Sequence, residues 1–167
     1  MPRSFDVSTD LPASVEQVQS AYGDENYWLD RNAALGGSKT LDSLLVDSDG
    51  TVTVTITEDL RHGMLPGLLA KVYRGDLNIR SIEKWKPVGG RRVNGEISVA
   101  VTGAPGSGRG AGVLEPSGSG SRLKLIGTVE FKVPLVGGRI ESYLAREFAR
   151  GIPNIQRFTA TWIGEHV

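Results

Sequence analysis

The stretch Val133-Pro-Leu-Val-Gly-Gly138, Arg139-Ile-Glu-Ser-Tyr-Leu-Ala-Arg-Glu-Phe-Ala-Arg150, Gly151-Ile-Pro-Asn-Ile-Gln-Arg-Phe-Thr-Ala-Thr-Trp-Ile163 decides the architecture. Ile140, Leu144, Phe148, Ile155, Phe158 and Trp162 recur at steps of three, four and seven, the spacing of one apolar helix face. Arg139, Glu141, Arg146 and Arg150 fall largely on the other side. A helix over residues 139–163 is roughly 37 Å long at ~1.5 Å per residue. Pro153 removes one backbone donor and crowds the preceding turn, which predicts a kink near Gly151. A helix of that length with one apolar face needs a broad sheet to lie on.

The preceding residues supply the sheet. Phe5 and Val7 alternate with polar neighbours as a first strand. Pro12 and the capping pattern Ser14-x-x-Gln17 start a short helix with Val15 and Val18 on its apolar stripe, and Gly23 ends it. Asp24 caps a second short helix that carries Tyr27 and Trp28 and stops at Gly36-Gly37. Strands over 40–47 and 51–61 flank Asp49-Gly50, a strong hairpin signal. Residues 64–73, Met-Leu-Pro-Gly-Leu-Leu-Ala-Lys-Val-Tyr, interrupt the alternation as an apolar loop. Strands resume over 76–87 and 92–102 around Gly89-Gly90. Residues 103–110 read as a flexible connection, 111–115 as a short strand and 123–133 as the last strand, stopped by Pro134. Short turns between neighbouring strands mean an antiparallel meander. The expected fold is α+β, a curved antiparallel sheet of about six or seven strands wrapped around a long C-terminal helix, in one domain spanning 1–167.

Composition narrows the function classes. Lys+Arg 19 against Asp+Glu 19 gives no overall field toward nucleic acid, so no nucleic-acid partner is expected. Cys 0 removes disulfides, thiolate nucleophiles and cysteine metal sites. The start, Met-Pro-Arg-Ser-Phe-Asp-Val, lacks the apolar run of a signal peptide, and the expected location is cytoplasmic. His62 and His166 do not form an i, i+4 pair, and Glu58, Asp59 and His62 do not share a strand face. No metal or other cofactor is therefore expected. Gly106-Ser-Gly-Arg-Gly110 lacks the Lys-Ser/Thr of a phosphate loop and opens no helix. Lys84, Lys86, Arg91 and Arg92 cluster at one hairpin without interleaved aromatics and read as a solvated edge.

The order of elements, two short helices after the first strand and a long terminal helix gripped by the sheet, resembles the START-like superfamily. That group holds birch-pollen-allergen-like proteins, polyketide cyclase-like proteins and lipid-transfer domains. Within it the chain is similar to an uncharacterised actinobacterial family. The likeness lies in Pro2-Arg-Ser-Phe5, Ala13-Ser-Val-Glu-Gln17, Tyr27-Trp28, Leu41-Asp-Ser43, Leu65-Pro-Gly-Leu68, Gly103-Ala-Pro105, Val133-Pro-Leu-Val-Gly-Gly138 and Ile155-Gln-Arg-Phe158. It implies a helix-grip fold and a cavity, and names no reaction.

Strand alternation turns Leu77, Ile79, Ser81, Glu83 and Trp85 inward, with Val93, Ile97, Val99 and Val101, and Leu123, Leu125, Val129 and Phe131. The helix adds Ile140, Tyr143, Leu144, Glu147 and Phe148, and Trp28 forms the opposite wall. This surface suits an apolar ligand oriented by one or two polar groups, or else these side chains simply fill the core. Glu83 on an apolar face needs a partner: a ligand hydroxyl, or an arginine in a structural ion pair. The 64–73 loop, with Leu65, Leu68, Leu69 and Tyr73, forms a lid, a transient membrane contact, or a tucked-in loop. The leading expectation is a non-catalytic carrier of a lipid or other hydrophobic small molecule, with Glu83 or Arg61 holding its polar end. The alternatives are a polyketide cyclase or aromatase using Glu83, His62 or Tyr143 for proton transfer, and a filled-core interaction domain. Oligomeric state is not legible.

Overall fold

The computed structural model describes residues 2–36, 38–59 and 77–166. The elements run β1 (Arg3–Leu11), α1 (Val15–Tyr22), α2 (Glu25–Ala34), β2 (Ser38–Val46), β3 (Val52–Asp59), β4 (Asn78–Val88), β5 (Arg92–Thr102), β6 (Gly106–Ser117), β7 (Gly120–Phe131) and α3 (Gly137–His166). The strands form one seven-stranded antiparallel sheet in the order β1-β7-β6-β5-β4-β3-β2. Chain order is therefore kept from β2 to β7, and β1 closes beside β7. This is the helix-grip arrangement that the order of elements predicts.

Local chemistry fixes the two short helices. Ser14 accepts the Gln17 N–H at 3.1 Å while the Gln17 side chain accepts the Ser14 N–H at 2.9 Å, a reciprocal cap. Asp24 accepts the Asn26 N–H at 2.9 Å and caps α2 almost directly after α1 ends. The helices close one end of the sheet, where the β2–β3, β4–β5 and β6–β7 turns also lie. Gln19 of α1 donates to the Gly50 carbonyl in the β2–β3 turn at 2.9 Å, and Ser121 donates to the Ala13 carbonyl at 2.8 Å. At the opposite end lie the start of β1, the β5–β6 turn and the β7–α3 turn.

Two expectations need correction. Residues 106–110 are not a flexible connection: they begin β6, paired throughout with β7 and from Ser107 with β5. Period-two alternation is present there, but its inward member is glycine at 106, 108, 110 and 112, so no apolar signal marks it. The long helix starts at Gly137 and runs 30 residues to His166, with Gly151 and Pro153 inside it. Its buried face is also turned from the one the large apolar residues mark. Glu141, Ala145, Ile152, Gln156, Thr159 and Ile163 are buried, whereas Phe148, Ile155 and Phe158 are half-buried. Glu141 tolerates this because its Oε2 accepts the Phe131 N–H at 2.9 Å, tying the start of α3 to the end of β7.

Among the described residues the core falls into two clusters. A large cluster joins α1, α2 and the C-terminal half of α3 to the closed end of the sheet, with Tyr22, Tyr27, Trp28, Trp85, Leu114 and Trp162 at its centre. A second, small cluster at the other end holds Phe131 and Ile140, with Ala104, Val133, Val136 and Leu144 against them. α3 packs chiefly along β1 and β7. Among the described residues, no helix packs chiefly on the concave faces of β4, β5 and β6.

Candidate functional site

Between the two clusters, inward-facing Ile79 and Ser81 on β4 and Ile97, Val99 and Val101 on β5 remain half-exposed. Beside them β6 presents glycines, with no side chains at all. A Cβ at Gly108 would meet, among the described residues, Thr128 O, Val129 Cγ1 and Val99 Cβ at 3.4, 3.6 and 3.7 Å. One at Gly110 would meet Ile126 O, Ile97 Cβ and Leu125 Cδ1 at 3.4, 3.7 and 3.8 Å. All six atoms belong to adjacent strands and stand at ordinary contact distance, so a methyl group fits at either position against the described residues. Gly95 and Gly127 differ: each is roofed by an aromatic ring, Trp85 and Phe5 respectively. Glycine inside a strand marks a tight bend or the close approach of something else. Here the row of glycines widens the concave side of the sheet opposite Phe148, whose ring lies 6.1 Å from that of Phe5.

The floor of this hollow is polar. Glu83 is buried to 8% exposure, inward-facing as expected, and an arginine is its partner: Arg31 of α2 reaches it at 3.3 Å. Trp85 Nε1 donates to the other carboxylate oxygen at 3.2 Å. The Arg31 guanidinium also lies 4.8 Å from the centre of the Trp28 ring, a cation–π arrangement. Burial works against the Arg31 charge, but the Glu83 carboxylate and the Tyr27 and Tyr22 oxygens outweigh it and raise its affinity for the proton. Arg31 is the site residue the sequence did not disclose. Its signal was the placement of an arginine one helical turn after Trp28.

Below the pair, Tyr27 donates to Thr159 Oγ1 at 2.7 Å, since the Thr159 hydroxyl proton is directed to the Ile155 carbonyl at 2.9 Å. Trp28 Nε1 donates to the Tyr22 carbonyl at 2.7 Å. Burial pushes the Tyr22 and Tyr27 hydroxyls above the ordinary tyrosine range. The sign follows directly. Raised folded-state values leave stability intact below about pH 10, where unfolded tyrosine ionises, and remove it above that point. The expected slope is about 1.4 kcal/mol per pH unit for each tyrosine. An alkaline titration followed by tyrosinate absorbance and by circular dichroism will show both residues ionising only with loss of the fold. Ionisation of all four tyrosines with the fold intact contradicts that burial.

Of the residues singled out in the sequence, Glu83 lies at the floor, and Ile97, Val99 and Phe148 are half-buried along the walls. Tyr143 is half-buried on α3, and Phe131 sits with Leu144 in the small cluster at the end of the sheet away from α1 and α2. Trp28 and Trp85 are packed in the main core, one layer beneath the floor. Glu147 faces Arg150 at 3.6 Å. Arg61, His62, Leu65, Leu68, Leu69 and Tyr73 lie outside the described residues. The basic hairpin is a set of surface ion pairs, with Arg91 on Glu16 at 2.7 Å and Arg92 on Glu115 at 3.5 Å.

Residues 6–163 match a protein family described as protein of unknown function DUF2505. The chain belongs to the DUF2505 family. Uncharacterized protein Rv0481c of Mycobacterium tuberculosis strain H37Rv and Mb0491c of Mycobacterium bovis are each 36% identical to it, over 100% of both chains. Among solved structures, the DUF2505 chain is similar to TTHA0849 from Thermus thermophilus, with 15% identity, a TM-score of 0.62 and coverage of 98% and 99%. Ara h 8.0201 gives 13% identity, a TM-score of 0.57 and coverage of 99% of each chain. Norcoclaurine synthase from Thalictrum flavum gives 15%, 0.56, and coverage of 99% of this chain and 88% of that one. These likenesses show the fold, an antiparallel sheet gripping a long C-terminal helix.

Proposed function

We propose that this DUF2505 protein, a single domain, binds and carries a lipid or other hydrophobic small molecule between the concave sheet and α3. The observation that carries the reading is the glycine-lined, half-exposed apolar stretch between the two core clusters of the described residues. Ile79, Ile97, Val99, Leu144 and Phe148 give the ligand its apolar contact. Arg31 and Glu83 hold its polar end. An ion pair at the floor suits a hydroxyl or carboxyl group, because Arg31 donates and Glu83 accepts.

The cyclase or aromatase alternative would use Glu83 for proton transfer. Both oxygens of Glu83 already accept hydrogen bonds, from Arg31 and Trp85, which supports an anchoring role instead. The test is native mass spectrometry of the purified protein followed by denaturing extraction. The expected result is a defined adduct mass that is lost on denaturation and recovered as an apolar compound. A clean mass of the protein alone, with no uptake of added fatty acids or aromatic polyketides, would favour the filled-core interaction domain. Glu83→Gln separates the other two readings: a carrier keeps part of its affinity, whereas an enzyme of that type loses turnover.

A further inference from the structure

The solvent face of α3 carries an arginine row. Arg139, Arg146, Arg150 and Arg157 stand at steps of seven, four and seven, away from the buried face of the helix. At 3.6 residues per turn they fall within an arc of about 40°, along about 27 Å of helix. The acid beside the row is Glu147, which reaches Arg150 at 3.6 Å from the shoulder of the helix. Arg157 donates to Asn154, and Arg139 and Arg146 have no ion pair among the described residues. No acidic residue occupies the first turn of α3, where the helix dipole favours one, and Arg139 stands there instead. The chain's net charge of zero conceals this asymmetry.

At the leading end of the row is Leu135, the most exposed large apolar residue described, with its side chain wholly in solvent. Its φ is +70°, a conformation that a side chain as bulky as leucine rarely adopts. The Val136 N–H donates to the Pro134 carbonyl at 2.8 Å and closes a three-residue turn around it. The Gly137 N–H donates to the Val133 carbonyl at 2.9 Å, and Val133 and Val136 pack into the small core cluster. The neighbours are thus anchored inward while the leucine is held out. Lys132 precedes this turn, ion-paired to Glu130 at 3.2 Å, and β1 pairing brings Arg3 to the same end.

We propose that the outer face of α3, led by Leu135, docks the protein on an anionic lipid bilayer. The arginines meet headgroup phosphates, and Leu135 enters the acyl boundary. A nucleic acid fits less well. No exposed aromatic interleaves the arginines to stack on bases, and a projecting leucine gains nothing from a phosphate backbone. The docking face starts at the end of the sheet away from α1 and α2, and docking does not require the hollow to be occupied.

Co-sedimentation with phosphatidylcholine vesicles, with and without phosphatidylglycerol, at low and high salt, tests this. The wild-type protein is expected to sediment with the anionic vesicles alone and to be released by salt. The double variant Arg146→Gln/Arg150→Gln should lose about 25-fold in partitioning, about fivefold per arginine. Leu135→Gly should lose about tenfold, from the apolar area no longer buried. Its melting temperature should be unchanged or higher, because glycine adopts the positive φ freely. No sedimentation of the wild type at low salt, or unchanged binding in both variants, overturns the proposal. Binding of a short DNA duplex without vesicle binding also overturns it and assigns the row to nucleic acid. Fatty-acid uptake measured on the same preparations distinguishes failure of the docking face from failure of the hollow.

Discussion

Arg31→Ala should lower the unfolding free energy by about 3–5 kcal/mol, the usual cost of removing one partner from a buried ion pair. The side chains of Arg31 and Glu83 are only 12% and 10% exposed, so water cannot take over the vacated position in full. Glu83 would keep the Trp85 N–H alone, and Trp28 would lose the cation over its ring. Arg31→Lys should recover little, because an ammonium cannot lie flat on the indole of Trp28 and reach the carboxylate as the planar guanidinium does. The double variant Arg31→Met/Glu83→Gln should recover most of the loss, since it removes the stranded charge as well. Denaturant unfolding with a shared m-value measures all of these. An Arg31→Ala variant within about 1 kcal/mol of wild type would show that the pair is solvated.

The second large effect concerns the glycine row. Gly108→Ala and Gly110→Ala introduce methyl groups at ordinary contact distances of 3.4 Å or more from the atoms named above. Each should raise stability by about 0.5–1 kcal/mol, because alanine restricts the unfolded chain more than glycine does. Gly108→Val with Gly110→Val should keep the fold, since β-branched residues suit a strand. Their methyl groups enter the hollow, so ligand uptake should fall by about tenfold or more, as bulk placed in a close-fitting apolar site costs about 1–3 kcal/mol. Gly95→Ala is the contrasting control. Its methyl would stand 2.7 Å from Trp85 Cε3 and force the ring out of the main core. That variant should lose about 1–3 kcal/mol, the range for overpacking.

Much of this architecture was legible because apolar periodicity and turn chemistry carried it. The Ser14-x-x-Gln17 cap, the Asp49-Gly50 turn and the inward set on β4 are all where alternation and capping rules put them. The departures share one cause, which is that polar or absent side chains occupy inward positions. β6 turns glycines inward, so the period is present and the hydrophobic signal is missing. α3 buries Glu141, Gln156 and Thr159, which hydrophobicity places in water. Glu141 accepts a strand N–H and Thr159 accepts the Tyr27 hydroxyl, and these long-range bonds cannot be read from spacing along one helix. The same reason hid Arg31. Its partner Glu83 is 52 residues away, and on a short, mostly polar helix an arginine reads as solvated. Glu83 itself was legible because an acid interrupts an otherwise apolar strand face.

The most direct test of the hollow is a fluorescence titration with a dansylated fatty acid, comparing wild type with the Gly108→Val/Gly110→Val variant. A ligand site between the sheet and α3 predicts saturable uptake by the wild type, one probe per chain, and its loss in a variant that unfolds at the same or a higher denaturant midpoint. Equal uptake by both proteins, or none by the wild type, would contradict that site.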